Sequence, residues 1–303
     1  MPTLTGLDRD RARALLDDWV PAGRIPNSGL VTDSGRIPNC GLAPDSGRIP
    51  DPGLVLDSAR APDSARASGS GRALADDELV ALLRCYGVPV AEFEVAADAD
   101  ATVASAVRLG YPVALKAFEQ NRRHRLDRSG VVLGLADATA VRRAHAELTD
   151  PGANSRSDPS SATESVYVQV MAPPDRSGIP TVLGITGDPS FGSLVFFGVG
   201  GVTTDLLGDR SYRSVPLTDR DAAALIDEPR AAPLLSGYRG SMPVDRAGLA
   251  ELALRLSALA DDVPELTELH LEPVLVGPGG VCVTGATGRL GPPGRADDRR
   301  RLS

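Results

Sequence analysis

The sequence contains few cysteines, a single lysine and no long apolar run. Its cysteines, Cys40, Cys85 and Cys282, are odd in number and include no close pair, which argues against a disulfide framework and against a thiolate metal site. No stretch approaches the roughly 18 apolar residues of a membrane-spanning helix. The N-terminal segment also lacks the basic-then-apolar order of a secretion signal. These absences predict a cytoplasmic protein without a membrane span.

The charge balance is acidic, with a formal net charge of -8 and a pI near 5.0. A surface that binds nucleic acid or anionic lipid needs a basic field, so neither partner is expected. The 303 residues are 42% hydrophobic and 24% charged, which is typical of one large or two small domains with a sizeable core.

The only lysine of the chain, Lys116, ends the apolar run 111–115. A solvated position accepts arginine equally well in a chain that uses arginine elsewhere, so this lysine indicates that a compact ammonium is needed. Its flexible stem can bring a point charge to a phosphate. The alternative is a lysine without function at the end of a strand.

A twelve-residue repeat interrupts the chain near its start. Three copies occupy residues 23–34, 35–46 and 47–58, and a decayed copy continues to residue 66. The copies are rich in Pro, Gly, Ser and Asp and hold too few apolar residues to offset the entropy of ordering them. The repeat therefore predicts a disordered insertion rather than a solenoid.

Around this insertion the pattern indicates an α/β or α+β protein. A helix is expected over residues 7–20, with Thr5 as its possible N-cap. Beyond the repeat, capped helices alternate with short apolar strands, and strands dominate from residue 166 onward. The expected helix starts are at Asp76 or Asp77, Asp98 or Asp100, Asp137, Thr218 and Asp245, and a terminal hairpin is expected over 269–276 and 281–283.

Six motifs occur in the same order as in one known family. They are 82–89 (LLRCYGVP), 109–116 (LGYPVALK), 188–192 (DPSFG), 197–201 (FGVGG), 216–218 (PLT) and 234–240 (LLSGYRG). In these motifs the chain resembles the ATP-grasp domain of NDP-forming acyl-CoA synthetases, which include ADP-forming acetyl-CoA synthetase and regions fused to protein acetyltransferases.

The resemblance implies an ATP-grasp fold of two subdomains that binds ATP or ADP with Mg²⁺. It divides the chain into an N-terminal helix that belongs to the ATP-grasp region, the disordered repeat insertion, a small subdomain, a flexible linker, a large subdomain and a disordered tail. The expected ranges are, in that order, 1–22, 23–72, 73–149, 150–164, 165–291 and 292–303.

The nucleotide-binding residues implied by the resemblance lie on several segments. Lys116 matches a lysine that contacts nucleotide phosphates, and Asp205 falls where the family has an acidic residue. The segment that joins the subdomains and contacts the base corresponds to Gln169, Val170 and Met171. The glycine-rich turn contains Gly200 and Gly201, where a backbone without Cβ atoms can approach a phosphate closely.

His124 is the catalytic residue implied by the resemblance. It lies in the loop 124–131, which resembles a family loop whose histidine relays a phosphoryl group between nucleotide and a phosphohistidine of a partner domain. Neutral imidazole is a competent nucleophile near neutral pH. The alternative is a solvated loop histidine beside three arginines.

The metal site departs from the family pattern. Glu272 replaces an asparagine and can still bind a hard cation, but the second carboxylate position corresponds to Gly285. A further family glutamate corresponds to Pro180. His270 is either a softer metal ligand or, as we expect, a residue that faces the sheet or solvent, and His145 is expected on the surface.

Two functional classes follow. The first is the ATP-grasp component of an ADP-forming acyl-CoA synthetase, which acts on a small carboxylic acid and CoA through a separately encoded CoA-binding, succinyl-CoA-ligase-like subunit. The second, favoured by Gly285 and Pro180, is a nucleotide-binding regulatory module without turnover. The resemblance to a fold does not decide between them.

Overall fold

The computed structural model of the protein describes residues 4–19, 71–117, 130–149, 165–171, 178–188, 190–200 and 207–292. Most of the predicted repeat insertion lies outside these residues, and so do His124, Gly201 and Asp205. Within them the chain forms helices and two sheets, so the expected mixed class is confirmed.

The helices and strands have the following bounds. The helices are α1 (Arg9–Trp19), α2 (Asp76–Cys85), α3 (Ala99–Leu109), α4 (Ala138–Thr149), α5 (Asp219–Asp227) and α6 (Arg246–Asp262). The strands are β1 (Arg72–Ala73), β2 (Phe93–Ala96), β3 (Val113–Ala117), β4 (Val131–Leu135), β5 (Val166–Val170), β6 (Ile179–Asp188), β7 (Gly192–Val199), β8 (Arg210–Ser214), β9 (Leu266–Gly277), β10 (Gly280–Val283) and β11 (Ala286–Leu290).

The smaller sheet has the strand order β2–β5–β3–β4, and neighbouring strands run antiparallel. Helices α3 and α4 contact it and pack against each other. Its core consists of small aliphatic side chains, including Val113, Leu115, Val141 and Val168. This core fixes β3 and β5 as neighbours, and both strands carry residues that were predicted for the site.

The larger sheet has the order β1–β11–β9–β6–β7–β8, and β10 pairs with β9. Helices α5 and α6 pack on it through a leucine-rich core. The expected terminal hairpin is confirmed as β9 and β10, with Val276 opposite Val281. Strand β11 was missed because its sequence, ATGRL, carries little apolar signal.

Helix α2 packs with the larger sheet. Its side chains Leu79, Leu82 and Leu83 are buried in the larger core, and the preceding strand β1 pairs with β11. The expected small subdomain 73–149 therefore includes a helix that contacts the other sheet. Helix α1 joins the same core, and Arg13 forms an ion pair with Glu265 at 3.0 Å between Nη1 and Oε1.

Four helix starts were predicted correctly, including Asp137, whose carboxylate accepts a hydrogen bond from the Ala140 N–H at 2.8 Å. The Asp98 carboxylate accepts a hydrogen bond from the Ala101 N–H at 2.8 Å, and the Asp245 carboxylate accepts one from the Gly248 N–H at 2.9 Å. Thr218 forms a reciprocal cap with Asp221. Each satisfies an N–H that a helix leaves unpaired in its first turn.

Two other caps were predicted wrongly. Helix α2 begins after Ala75, whose N–H donates to Glu78 Oε2 at 2.9 Å, so Asp76 and Asp77 lie inside the first turn. At α1 the Asp8 carboxylate, rather than Thr5, accepts a hydrogen bond from the Arg11 N–H at 3.1 Å. In both cases an acidic residue that was not predicted, Glu78 or Asp8, makes the hydrogen bond at the helix start.

His145 is buried rather than on the surface, with 7% of its area exposed. It lies four residues after Val141 and three before Leu148, both of which are buried on α4. This spacing places the histidine on the apolar face of the helix.

Among the helices described here, none is long and apolar enough to cross a membrane.

Candidate functional site

A cavity of about 570 Å³ lies between the two sheets. One wall belongs to the smaller sheet and is lined by Phe93, Lys116, Val131, Tyr167 and Gln169. The opposite wall is formed by β9 and the turn between β10 and β11, with His270, Glu272, Thr284, Gly285 and Thr287. Asp76 of α2 also lines it, so the cavity combines a cation, two carboxylates, an imidazole and an amide in one cleft.

Lys116 reaches into this cavity from the smaller sheet. On β3 its Cα lies opposite Tyr167 of β5 and Val131 of β4. Its ammonium donates a hydrogen bond to the carbonyl oxygen of Thr284, which belongs to the larger sheet's side of the cleft. That a compact ammonium is needed here stays a prediction.

Strand β5 borders two cavities. Gln169 is 93% buried (7% exposed) and lines the cavity that contains Lys116. Val170 and Met171 instead line a second cavity of about 340 Å³, together with Leu275, Val281 and Cys282. The amide thus faces the polar cleft, and the apolar side chains of the same segment face a mainly aliphatic space.

Met171 is held in place by β4 and by the residue that precedes β3. Its sulfur accepts a hydrogen bond from the Gly134 N–H at 2.9 Å, and its own N–H donates to the Pro112 carbonyl oxygen at 3.3 Å. The end of β5 is therefore fixed to the smaller sheet where it meets the second cavity.

Glu272 carries the carboxylate predicted as a metal ligand, and it lines the larger cavity. Its N–H donates to the carbonyl oxygen of Gly285 at 2.9 Å. A Cβ at position 285 would lie 2.1 Å from the Glu272 carbonyl oxygen. The missing second carboxylate thus has a steric reason, because the two backbones approach too closely for any side chain. Pro180 lies on β6 opposite Leu275 and lines neither cavity.

His270 lies in the wall of the larger cavity, two residues before Glu272. We expected it to face the sheet or solvent; it packs on a ring of the larger sheet and also lines the cavity, which was not predicted. Its ring packs against the buried ring of Phe196, with 5.1 Å between ring centroids. The period-two alternation of β9 could have revealed its position, because His270 and Glu272 lie on the same face of the strand.

The glycine-rich turn is described only at its first residue. Gly200 ends β7 with a φ of 71°, in the left-handed region that favours glycine, and a Cβ there would lie 3.0 Å from the Pro180 carbonyl oxygen. Gly200 lines neither cavity. Its predicted phosphate contact, like the roles of Gly201, Asp205 and His124, stays a prediction.

Several lining residues were not predicted as site residues. The rings of Phe93 and Tyr167 form an edge-to-face pair with centroids 5.3 Å apart. Cys282 borders the second cavity, where burial raises the pKa of its thiol and the nearby Lys116 charge opposes this shift more weakly. Nothing in the sequence distinguished these residues from ordinary strand residues, because their role depends on how the sheets pack.

Within the described segments, no group of three or more His, Cys, Asp and Glu side chains is placed to hold a metal ion. The cavity lining includes two carboxylates, Glu272 and Asp76, and one imidazole, His270. Mg²⁺ in nucleotide sites is often held by one or two carboxylates plus substrate phosphates and water. The donor set therefore fits a cation that is shared with bound phosphates, although not a site made by protein alone.

A family model for the ATP-grasp domain matches residues 64–290. The chain belongs to the ATP-grasp family. The ATP-grasp fold binds nucleotide, and the two sheets described above agree with the predicted fold.

Relatives of this ATP-grasp chain are ligase subunits. It is 32% identical over 215 residues to the β subunit of ADP-forming acetate–CoA ligase II from Pyrococcus furiosus, covering 70% of this chain and 89% of that one. It is also similar to the dinucleotide-forming acetyl-coenzyme A synthetase 1 of Ca. Korarchaeum cryptofilum, solved with coenzyme A, Ca-AMPCP and HgCl⁺. That match has a TM-score of 0.66 and 33% identity and covers 72% of this chain and 93% of that one.

A second structure of the Korarchaeum synthetase contains coenzyme A and Mg-AMPPCP. In it a phosphohistidine segment points towards the nucleotide binding site. The match has a TM-score of 0.60 and 31% identity and covers 72% of this chain and 92% of that chain. The family and its relatives thus connect the ATP-grasp fold of this chain with nucleotide binding and with acid–CoA ligase subunits.

Proposed function

We propose that this ATP-grasp chain binds ATP or ADP with Mg²⁺ between its two sheets and is the ATP-grasp component of an ADP-forming acid–CoA ligase. The observation that carries the proposal is the position of Lys116. The only lysine of the chain lies in the cleft between the sheets, in a cavity that also contains the Glu272 carboxylate. An ammonium and a carboxylate in one cleft are suited to phosphates and their cation, respectively.

The nucleotide then spans both cavities. We infer that its phosphates contact Lys116 and, as the resemblance implies, Gly200, Gly201 and Asp205. Its base lies against Val170 and Met171, in the mainly aliphatic second cavity, and Gln169 provides an amide at the boundary. Apolar walls with a few polar groups are the usual construction of such a site.

His124 is the proposed relay residue. A ring nitrogen of His124 attacks the γ-phosphorus of ATP, the bond to the bridging oxygen breaks, and ADP leaves. The phosphohistidine then passes the phosphoryl group to a histidine of the partner subunit and returns to neutral imidazole. The phosphohistidine segment of the Korarchaeum synthetase, which points towards its nucleotide site, supports this route.

The partner that we propose is a CoA-binding, succinyl-CoA-ligase-like subunit encoded separately. Similarity to a protein named as a β subunit supports a second subunit. That subunit would form an acyl phosphate from a small carboxylic acid and transfer the acyl group to the CoA thiol, releasing phosphate. A regulatory module without turnover was the alternative, but the relatives are ligase subunits and do not favour it.

The single lysine makes a direct test possible. An amine-acylating reagent can modify only one side chain of the protein, Lys116, and peptide mass spectrometry measures its rate of acylation. Saturating ADP with Mg²⁺ is expected to slow that rate, because bound phosphates cover the ammonium. Acylation at an unchanged rate would contradict the proposed site.

Calorimetric titration of ADP into two charge-matched variants completes the test. Lys116→Gln and Arg220→Gln each remove one positive charge, but Arg220 is an exposed residue of α5 that lines neither cavity. We expect ADP binding to be lost in Lys116→Gln and retained in Arg220→Gln. Equal loss in both variants would indicate an effect of net charge rather than a phosphate contact.

A further inference from the structure

His270 and Glu272 lie two residues apart on β9, and both line the cavity that contains Lys116. Successive side chains of a strand point to opposite faces, so residues i and i+2 share a face at a separation of about 7 Å. An imidazole and a carboxylate at that distance can both reach a cation between them. These two side chains therefore form a possible two-ligand set in the wall of the cleft.

The packing around His270 limits where its ring can lie. Its Cα lies opposite Gly184 of β6 on one side and Thr287 of β11 on the other. A Cβ at Gly184 would lie 2.5 Å from the Phe196 ring, so that ring occupies the space above the glycine. The imidazole packs against Phe196 and borders the cavity, which reduces its freedom to turn away.

Position 285 supplies no carboxylate to this wall. Position 285 carries no side chain and has no room for one, because a Cβ would lie 2.1 Å from the Glu272 carbonyl oxygen. Strand β9 presents the Glu272 carboxylate and the His270 imidazole to the cavity, and Asp76 of α2 also lines it. Because no three such side chains of the described residues are grouped for a metal ion, the pair on β9 is the candidate ligand set.

We propose that His270 and Glu272 together bind the divalent cation of the bound nucleotide, and that His270 makes the site prefer Mn²⁺ or Co²⁺ to Mg²⁺. Imidazole is a good ligand for first-row transition cations, whereas Mg²⁺ strongly prefers oxygen. The nucleotide phosphates and water supply the remaining ligands. This inference rests on the proposed nucleotide-binding function and adds the identity of the cation.

Pulsed electron paramagnetic resonance of the Mn²⁺–ADP complex tests the ligand directly. Coupling of the Mn²⁺ electron spin to an imidazole ¹⁴N nucleus is expected in the full-length protein. The sequence has three histidines, His124, His145 and His270, so the source can be assigned by substitution. We expect the coupling to persist in His124→Asn and to disappear in His270→Asn.

Calorimetric titration of ADP with Mg²⁺ and with Mn²⁺ provides a second readout. Wild type is expected to bind Mn²⁺–ADP about tenfold more tightly than Mg²⁺–ADP, and His270→Asn is expected to remove most of that difference. Measured unfolding curves establish that the variant is folded. If His270→Asn does not fold, the wild-type affinities for Mn²⁺–ADP and Mg²⁺–ADP still test the cation preference.

The outcomes separate this inference from the proposed function. Binding of Mn²⁺–ADP without ¹⁴N coupling in wild type, or coupling that is lost only in His124→Asn, would overturn the role of His270 and leave nucleotide binding intact. Equal affinity for the two metal complexes would overturn the cation preference. Absence of ADP binding with either metal would overturn both proposals.

Discussion

The ammonium of Lys116 donates a hydrogen bond to the carbonyl oxygen of Thr284 and thereby joins the smaller sheet to the turn between β10 and β11. The contact crosses the cavity in which we place the nucleotide phosphates. A phosphate that binds Lys116 must compete with this carbonyl oxygen. The lysine therefore contributes to the packing of the two sheets as well as to the proposed binding site.

Replacing Lys116 by arginine keeps the charge but changes its shape. We expect Lys116→Arg to weaken ADP binding by about tenfold or more, which corresponds to ~1.4 kcal/mol, because the planar guanidinium cannot occupy the same position as an ammonium. Calorimetric titration measures the affinity. An affinity equal to that of wild type would mean that the site requires only a positive charge.

Gly285 is expected to tolerate no side chain. The Gly285→Ala substitution should lower the free energy of unfolding by about 1–3 kcal/mol, because the new Cβ would overlap the Glu272 carbonyl oxygen and force a backbone shift. Denaturant unfolding provides the measurement. Gly187→Ala on β6 is the matched control, because its Cβ would meet only the Thr267 carbonyl oxygen at 3.7 Å.

The Gly285→Asp substitution tests the same contact in the site. We expect it to destabilise the protein without strengthening Mg²⁺–ADP binding, because the carboxylate cannot be added without moving β9. Tighter Mg²⁺-dependent ADP binding in a stable Gly285→Asp protein would show that position 285 has room for a carboxylate despite the nearby Glu272 carbonyl oxygen. Titrations of wild type and variant under the same conditions make the comparison.

Glu78 is expected to make the stability depend on pH. Burial alone would raise the pKa of Glu78, but hydrogen bonds from Arg72 and from the Ala75 N–H outweigh it and lower the pKa overall. A lowered pKa stabilises the folded state above the ordinary carboxyl value, 4.5, and this contribution is lost as the pH falls below it.

The Glu78→Gln variant isolates that contribution. Glutamine can still accept the Ala75 N–H, so mainly the charge is removed. We expect the variant to be less stable than wild type by roughly 1 kcal/mol at pH 7, and this difference to shrink as the pH falls below 4.5. Denaturant unfolding across this pH range measures the difference, and a difference that does not change with pH would contradict the assignment.

Alkylation of Cys282 should report on the second cavity. Burial raises the pKa of this thiol, and the weaker effect of Lys116 does not reverse the shift. We therefore expect slower alkylation by iodoacetamide than for a free thiol at pH 8, with a steeper rise in rate towards pH 10. Peptide mass spectrometry measures Cys282 separately from the buried Cys85.

Bound ADP should slow the alkylation of Cys282 further, because the proposed base site shares the second cavity with this thiol. The Lys116→Gln variant provides the control, since it is expected to bind ADP poorly. Equal protection by ADP in wild type and variant would place the effect outside the proposed site.

Much of the fold was predictable from local patterns. The side-chain caps at Asp98, Thr218 and Asp245 and the apolar run that ends at Lys116 each depend on neighbouring residues in the sequence. Strand β11 and the packing of α2 were not predictable in this way. Strand β11 is short and has little apolar content, and it forms because β9 provides its hydrogen-bond partners. Helix α2 packs with the larger sheet because its leucines are buried in the larger core.

The sequence by itself determined the family, through ordered motifs, and the chemical type of the candidate phosphate ligand, through a single lysine. The tertiary structure decided which residues share a cavity. It brought Lys116 of β3 into the cavity lined by Glu272 of β9, separated Gln169 from Met171, and left no room for a side chain at Gly285. Those outcomes depend on distances between backbones that are far apart in sequence, and no local pattern encodes them.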